Sequence, residues 1–310
     1  MNKPIVMNPI VSFSATRRMR TFRTMLIVIA YEAALLLIAL VMLSPFLQDR
    51  IAIGSLRLSP LCFMILTGAQ FGLLILIAPA MTSGSIAGER ERRTLDLLLV
   101  TNTGSFRIAV GKALESFALL AVLILCGLPV MCLCLLTGGV TAGQILLAEL
   151  FLLAEAFACV SVGVFCSSMM RSTVISAVIS YLVILLIGTV TLLPFLTGYP
   201  QRITDVLYDR QQYAGLTATG ARAMISPLLY LNPAFGLFAL LQGQTRILTR
   251  TMSTRGWGRI LATWMMADRA GWDFITLASA GSMLILSAVL LALAALRIRR
   301  SGRAVRRRKA

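Results

Sequence analysis

Six long apolar segments constrain this chain more than any other feature of its sequence. Each has about the 20 residues that a helix needs to cross the hydrocarbon core of a bilayer. Because no water is available there, a spanning segment has to satisfy its backbone amides and carbonyls internally, as a helix does. The sequence therefore predicts an all-α, polytopic membrane protein with six transmembrane helices. The segments lie at residues 25–43, 61–81, 116–136, 145–165, 174–196 and 275–296.

The composition agrees with a membrane protein. Of the 310 residues, 58% are hydrophobic and 13% are charged, whereas a soluble domain has about 45–50% apolar and about 25% charged residues. A net charge of +17 would suggest nucleic-acid binding in a soluble chain, but basic loops also orient membrane proteins. We therefore expect membrane lipids and no nucleic acid as partners. The absence of histidine removes the commonest metal ligand, and we expect no metal site.

Lysine and arginine in the short connections predict the orientation of the spans. Five precede the first span, five lie between spans two and three, and eight follow the last span. On the other side, two follow span one and none follows span three. We therefore predict a multi-pass protein of the plasma (inner) membrane, with both termini and the connection between spans two and three in the cytoplasm.

Three segments outside the spans have their own predictions. Residues 1–24 are basic and amphipathic, which is typical of a helix lying in the cytoplasmic interface. Residues 197–274 form a long outer connection, in which Pro227 and Pro233 interrupt an oily stretch. This pattern favours re-entrant or interfacial short helices over a seventh span. Residues 297–310 form a basic cytoplasmic tail that we interpret as an orienting and lipid-binding segment. We expect a single transmembrane domain over the whole chain.

A charged stretch between spans two and three interrupts the apolar sequence. It reads GERERRTLDLLLVTNTGSFRIAVGK over residues 88–112. Glutamates stand first, where the helix dipole favours anions, and opposite charges follow at spacings of three and four that pair on a helix surface. Leu95, Leu98 and Leu99 make an apolar stripe. We predict a short surface helix over about residues 86–101, with a charged face and an apolar face.

The pattern leaves two interpretations of this helix open. In the first, the helix lies in the interface, with its leucines in lipid and its charges in water. In the second, it docks on a cytoplasmic partner, with the charges fixing the register and the leucines packing. Periodicity alone does not choose between them.

The same stretch resembles the signature of type 2 ABC transporter (ABC-2-type) permeases, the membrane subunits of ATP-driven exporters. That family carries an acidic-basic cluster, then Thr-Leu-(Glu/Asp)-x-Leu-Leu, a Thr-Pro-like turn, and Gly-Lys entering the next span. The corresponding residues are Glu-Arg-Glu-Arg-Arg at 89–93, Thr-Leu-Asp-Leu-Leu-Leu at 94–99, Thr-Asn at 101–102 and Gly-Lys at 111–112. The chain departs from the pattern at Arg93, where glycine is usual, and at Asn102, where proline is usual.

The resemblance implies a function. In that family the segment is the coupling helix, which sits in a groove of a separate ATP-binding cassette subunit and passes its motion to the spans. It implies a permease subunit that forms a homodimer or heterodimer with a second permease chain. ATP and Mg would be used by the partner subunit. The residues implied to contact that subunit are Glu89, Arg90, Arg93, Thr94, Leu95, Asp96 and Leu98.

Two absences from the sequence bear on catalysis. It contains no G-x-x-x-x-G-K-[ST] phosphate-binding loop, so we expect ATP hydrolysis in another polypeptide. It also contains no histidine and no G-x-S-x-G, so we expect no catalytic residue and no cofactor in this chain.

Polar side chains inside the spans are candidates for function, because a charge in hydrocarbon is costly. Glu32 lies in span one, Gln70 in span two and Glu155 near the middle of span four. We interpret them as facing the dimer interface or the translocation path, or alternatively as hydrogen-bonding between helices. Glu149, near the outer end of span four, is predicted to be stabilised by the helix N-terminus.

Two rival functions stay open at this point. An ion-gradient-driven secondary transporter or channel would use Glu32 and Glu155 as a relay. A membrane scaffold would keep the docking helix and recruit a cytoplasmic protein without moving a substrate.

Overall fold

The computed structural model describes residues 22–47, 55–92, 104–136, 140–196, 230–245 and 269–309. These residues form helices with a few turns, and no strand occurs among them. The helices in these ranges are α1 (Phe22–Leu47), α2 (Ser55–Thr82), α3 (Ala87–Glu91), α4 (Ser105–Leu136), α5 (Ala142–Met169), α6 (Thr173–Leu196), α7 (Pro233–Thr245) and α8 (Arg269–Lys309).

The prediction of six transmembrane helices is confirmed. Helices α1, α2, α4, α5, α6 and α8 are each long and apolar enough to cross a membrane. The predicted span at 275–296 lies within a longer helix, since α8 has 41 residues and is about 60 Å long at 1.5 Å per residue. The hydrocarbon core is about 30 Å thick, so α8 continues well past the span into the predicted basic tail.

Helix α5 is at the centre of the bundle. It packs against α2, α4, α6, α7 and α8, and side chains such as Leu152 and Val160 are completely buried. By contrast, α1 and α6 are mostly exposed along their apolar length and present large apolar side chains such as Leu37 and Leu185. Such surfaces suit contact with lipid or with another apolar helix. A displacement of α5 would therefore disturb its contacts with most of the other helices in the bundle.

Small residues allow α5 to approach its neighbours closely. A Cβ added at Gly163 would lie 2.6 Å from the Cβ of Thr82 on α2. A Cβ added at Gly236 on α7 would lie 2.7 Å from the Phe151 ring on α5. Helices in membranes commonly use such small residues to bring their backbones together, and α5 does so against both α2 and α7.

Helix α7 is a short helix within the connection between α6 and α8. It starts with Pro233, whose missing N–H costs nothing in the first turn. The side chain of Asn232 caps it, because its Oδ1 accepts from the Phe235 N–H at 3.1 Å. The Asn232 Nδ2 donates to the Gly188 carbonyl and the Thr191 hydroxyl of α6 at 3.0 and 2.8 Å. The buried asparagine thus attaches the start of α7 to α6.

Re-entrant or interfacial short helices are predicted for this connection, and α7 is the short helix in its described part. The remainder of the connection, at 197–229 and 246–268, lies outside the described residues, as does any second short helix there. The predicted interfacial helix at the N-terminus also falls outside them, apart from its last residues, with which α1 begins at Phe22.

We expect Gly163→Val to destabilise the folded protein. The added side chain would overlap Thr82, which is completely buried, and overpacking of this kind costs about 1–3 kcal/mol. Thermal unfolding of the detergent-purified chain measures the effect. Gly143→Ala on the same helix is the matched control, since nothing lies within 4 Å of its added Cβ. Equal unfolding temperatures for the two variants would contradict the close α2–α5 packing.

Candidate functional site

The described part of the charged segment is shorter than the predicted helix. Helix α3 covers Ala87–Glu91, and Arg92 follows it in a turn. The remainder of the predicted helix, at 93–101, lies outside the described residues.

A side chain from another helix caps the start of α3. Ile86, which precedes the helix, makes no side-chain capping bond. The Ser167 hydroxyl of α5 accepts instead from the N–H groups of Ile86 and Ala87, at 3.0 and 2.9 Å. It also donates to the Ser83 carbonyl at 2.7 Å. Ser167 is completely buried, so a single hydroxyl holds three backbone groups at the junction of α2 and α3.

Arg90 makes the opposite connection, from α3 to the end of α5. Its guanidinium donates to the carbonyl of Met170 at 2.7 Å and to that of Ser168 at 3.1 Å. The last carbonyls of a helix have no partner within it, and a cation is favourable there. Arg171 and Arg297 lie close enough to Arg90 to repel its charge. Each of the two helices thus caps the other, and we call this pair of contacts the reciprocal cap.

Two further contacts attach α3 to other spans. Glu89 forms an ion pair with Lys112 of α4 at 2.6 Å, and Lys112 also lies 3.2 Å from Glu115. Glu91 accepts from the Thr173 hydroxyl, at the start of α6, at 2.7 Å. The five residues of α3 therefore contact α4, α5 and α6 at once, and they join these three spans at one end of the bundle.

Part of this end remains available to a partner. Glu91, Arg92, Met169 and Arg171 are exposed, and they surround the reciprocal cap. The predicted contact residues Glu89 and Arg90 are partly buried by the contacts just described. The other predicted contact residues lie outside the described residues; these are Arg93, Thr94, Leu95, Asp96 and Leu98.

A second polar group lies within the spans. Gln70 of α2 is completely buried and donates from Nε2 to Glu149 Oε2 of α5 at 3.1 Å. Tyr31 of α1 is buried beside them, close to Gln70, Glu149 and Glu32. Glu149 stands about two turns after Ala142, beyond the first turn in which the helix dipole acts. The predicted stabilisation of Glu149 by the helix N-terminus is therefore wrong, and the amide of Gln70 takes that role.

The remaining predicted residues of the spans have different surroundings. Glu32 is half-buried. Glu155 is 2% exposed, and neither of its carboxyl oxygens has a hydrogen-bond partner in the part of the chain that the structure describes. It follows Glu149 on α5 by about 9 Å along the helix axis. Of the three predicted path residues, Gln70 thus bridges two helices, whereas Glu155 stands as a buried carboxyl without a bond to another helix.

Comparison with protein families identifies the chain. Residues 61–296 match the family described as ABC-2 family transporter protein. The chain belongs to this family. No curated protein matches it. The match runs from the start of span two to the end of span six, so it includes α3 and every helix that α3 contacts. The protein is a membrane permease of the ABC-2 transporter family.

The described residues contain no group of three His, Cys, Asp or Glu side chains that could hold a metal ion. The acidic residues near α3 are occupied in contacts with Lys112 and Thr173. The arrangement can transmit a mechanical force, since it joins a surface segment to the ends of three spans through hydrogen bonds and an ion pair.

The sequence prediction missed several residues of the site. Ser167 and Thr173 lie in a stretch, SSMMRST, whose composition is typical of an ordinary turn. In the sequence, Lys112 stands out only as part of a Gly-Lys pair, and Glu149 only by its position near the outer end of span four. Each of these contacts joins residues far apart in the chain, and no periodic pattern within one helix indicates such a pair.

We expect the Gln70–Glu149 contact to appear as a coupling energy. Gln70→Leu and Glu149→Leu each leave one buried polar group without this partner, which costs about 1–3 kcal/mol. The double variant removes both groups and should cost less than the sum of the two. Equilibrium unfolding in detergent measures the three differences. Gln70→Leu combined with Ser161→Ala should be additive, because the Ser161 hydroxyl bonds to the Phe157 carbonyl of its own helix and to no other described residue. If the effects of Gln70→Leu and Glu149→Leu on the free energy of unfolding simply add, the contact between the two side chains is contradicted.

Proposed function

We propose that this permease forms half of the translocation path of an ABC exporter and couples it to ATP hydrolysis in a separate subunit. The coupling segment is the predicted one, at about residues 86–101. The observation that carries the proposal is the anchoring of α3 on α4, α5 and α6 through Glu89, Arg90 and Glu91. A force applied to this segment would act on three spans together, which a purely lipid-facing helix does not need.

The same proposal assigns the partners. An ATP-binding cassette subunit in the cytoplasm would bind the segment and use ATP and Mg. A second permease chain, identical or related, would complete the path, and the exposed apolar faces of α1 and α6 are available for that contact or for lipid. The orientation follows the basic connections, with α3 and both termini in the cytoplasm and the protein in the plasma (inner) membrane.

The polar residues of the spans have a place in this proposal. Glu32, Gln70 and Glu155 come from α1, α2 and α5, and carboxyls within a membrane mark substrate or ion pathways by default. Gln70 has a structural role through Glu149. Glu155, buried without a hydrogen-bond partner among the described residues, is the strongest candidate to face a substrate when the path opens.

We expect Asp96→Arg and Leu98→Glu to remove an ATPase that otherwise co-purifies with the chain. Both changes would act on the proposed docking face, the first by charge reversal and the second by placing a charge among apolar contacts. Purification from native membranes in mild detergent, with mass spectrometry and an ATPase assay of the eluate, provides the measurement.

The control for this experiment is Arg299→Glu, a charge reversal at an exposed position of α8, which should leave the partner bound. If the unmodified chain elutes alone and its transport depends on an ion gradient, the rival secondary transporter is supported instead. If a partner binds but no substrate is moved, the scaffold is supported.

We expect Glu155→Gln to change transport, or the stimulation of ATPase activity by substrate, while assembly with the ATPase stays intact. The amide keeps the size of the side chain and removes its ability to ionise. The assay compares the purified complex in lipid vesicles with the Ser161→Ala complex, whose altered side chain is also buried on α5. Unchanged transport in Glu155→Gln would remove this residue from the path.

A further inference from the structure

The hydroxyl of Ser167 uses its entire hydrogen-bonding capacity on one segment. A serine hydroxyl has one proton to donate and two lone pairs that accept. The proton goes to the Ser83 carbonyl, and the lone pairs accept from the N–H groups of Ile86 and Ala87. All three partners are backbone groups between the end of α2 and the start of α3, and Ser167 itself belongs to α5.

These backbone groups need an external partner. The first N–H groups of any helix have no acceptor within it, and α3 lacks a capping side chain of its own. Ile86, Ala87 and Ser167 are buried, so water is a poor substitute. The position of α3 is therefore tied to α5 at this hydroxyl, about 80 residues away along the chain.

Arg90 adds a second tie in the opposite direction, since it caps the carbonyls of Ser168 and Met170. The two halves of the reciprocal cap are separated by one helical turn of α3. Two points of attachment fix both the position and the angle of a short helix on its neighbour, whereas one point would leave it free to pivot.

We propose that Ser167 is a positioning residue through which α5 follows the coupling segment when the ATPase moves that segment. The proposal rests on the proposed function and goes beyond it, because it names the span that receives the movement. Covalent continuity joins α3 to α2, but the buried hydrogen bonds join it to α5. Helix α5 packs against five other helices and carries Glu149 and Glu155, so its displacement changes the surroundings of both carboxyls.

The first measurement tests the attachment without any partner. In Ser167→Ala, the amides of Ile86 and Ala87 lose their acceptor, and their hydrogen exchange in the full-length chain should become faster by roughly tenfold or more. Ser168→Ala is the matched control. Ser168 is equally buried, but among the described residues its hydroxyl bonds only to Phe165 within α5, and the exchange of the two amides should stay as in the unmodified chain.

The second measurement tests the transmission. The permease–ATPase complex is compared with and without ATP and orthovanadate, which traps the ATPase. In the unmodified complex, hydrogen exchange should change in residues 83–92 and also at the end of α5, in residues 166–172. In the Ser167→Ala complex, the change in residues 83–92 should persist, while the change at the end of α5 should become smaller, because only Arg90 still joins α3 to α5 there. A structural defect alone would speed hydrogen exchange in both regions. The change on adding ATP and orthovanadate would then be altered in both regions alike.

The outcomes separate the two proposals. Unchanged exchange of Ile86 and Ala87 in Ser167→Ala, or a response at the end of α5 as large as in the unmodified complex, would overturn the role of Ser167 alone. An unmodified chain that binds no ATPase would overturn the proposed function, and the positioning role with it. Should Ser167→Ala not fold, Ser167→Cys, with a similar size and weaker hydrogen bonds, should show the same separation at smaller amplitude.

Discussion

The structure depends on the requirement that backbone groups at helix ends find partners where water is scarce. Along a span the helix meets this requirement by itself, but at each end several N–H or C=O groups remain. In this protein the ends of α3, α5 and α7 are satisfied by side chains from the same bundle. Ser167 serves the start of α3, Arg90 serves the end of α5, and Asn232 serves α7 and also holds it on α6. The contacts that meet this requirement therefore also determine how the helices are joined.

These contacts turn a set of spans into a linked assembly. The segment between α2 and α4 contacts three spans at one end of the bundle, and α5 lies at the centre of that bundle. Transmission of movement needs an element whose contacts are maintained during the movement. Buried hydrogen bonds at α3 meet this condition better than exposed ion pairs, which contribute about 0–1 kcal/mol and are screened by salt. Because the protein belongs to a family of ABC transporters, such an arrangement suits the transmission of movement between α3 and the spans.

The sequence predicted the all-helical membrane fold, its six spans and its family, because apolar length and a charged motif are local properties. It did not predict Ser167 as the cap of α3, because charge spacing within one segment carries no information on a hydroxyl 80 residues away. For the same reason it placed Gln70 in a span but did not predict Glu149 as its partner. Features that depend on the sequence of one helix were predictable. Contacts between side chains of different helices were not.

The length of α8 has a geometric consequence at the membrane surface. The predicted span within this helix ends at Leu296, and the helix continues to Lys309, about 20 Å further at 1.5 Å per residue. A tilt of about 20°, common for membrane helices, moves that end sideways by about 7 Å. Because the extension is rich in arginine, the inclination of the span and the height of these charges above the lipid headgroups change together. An anionic lipid surface on this side, which attracts each basic residue near it by about 1 kcal/mol, would therefore favour some inclinations of the sixth span over others.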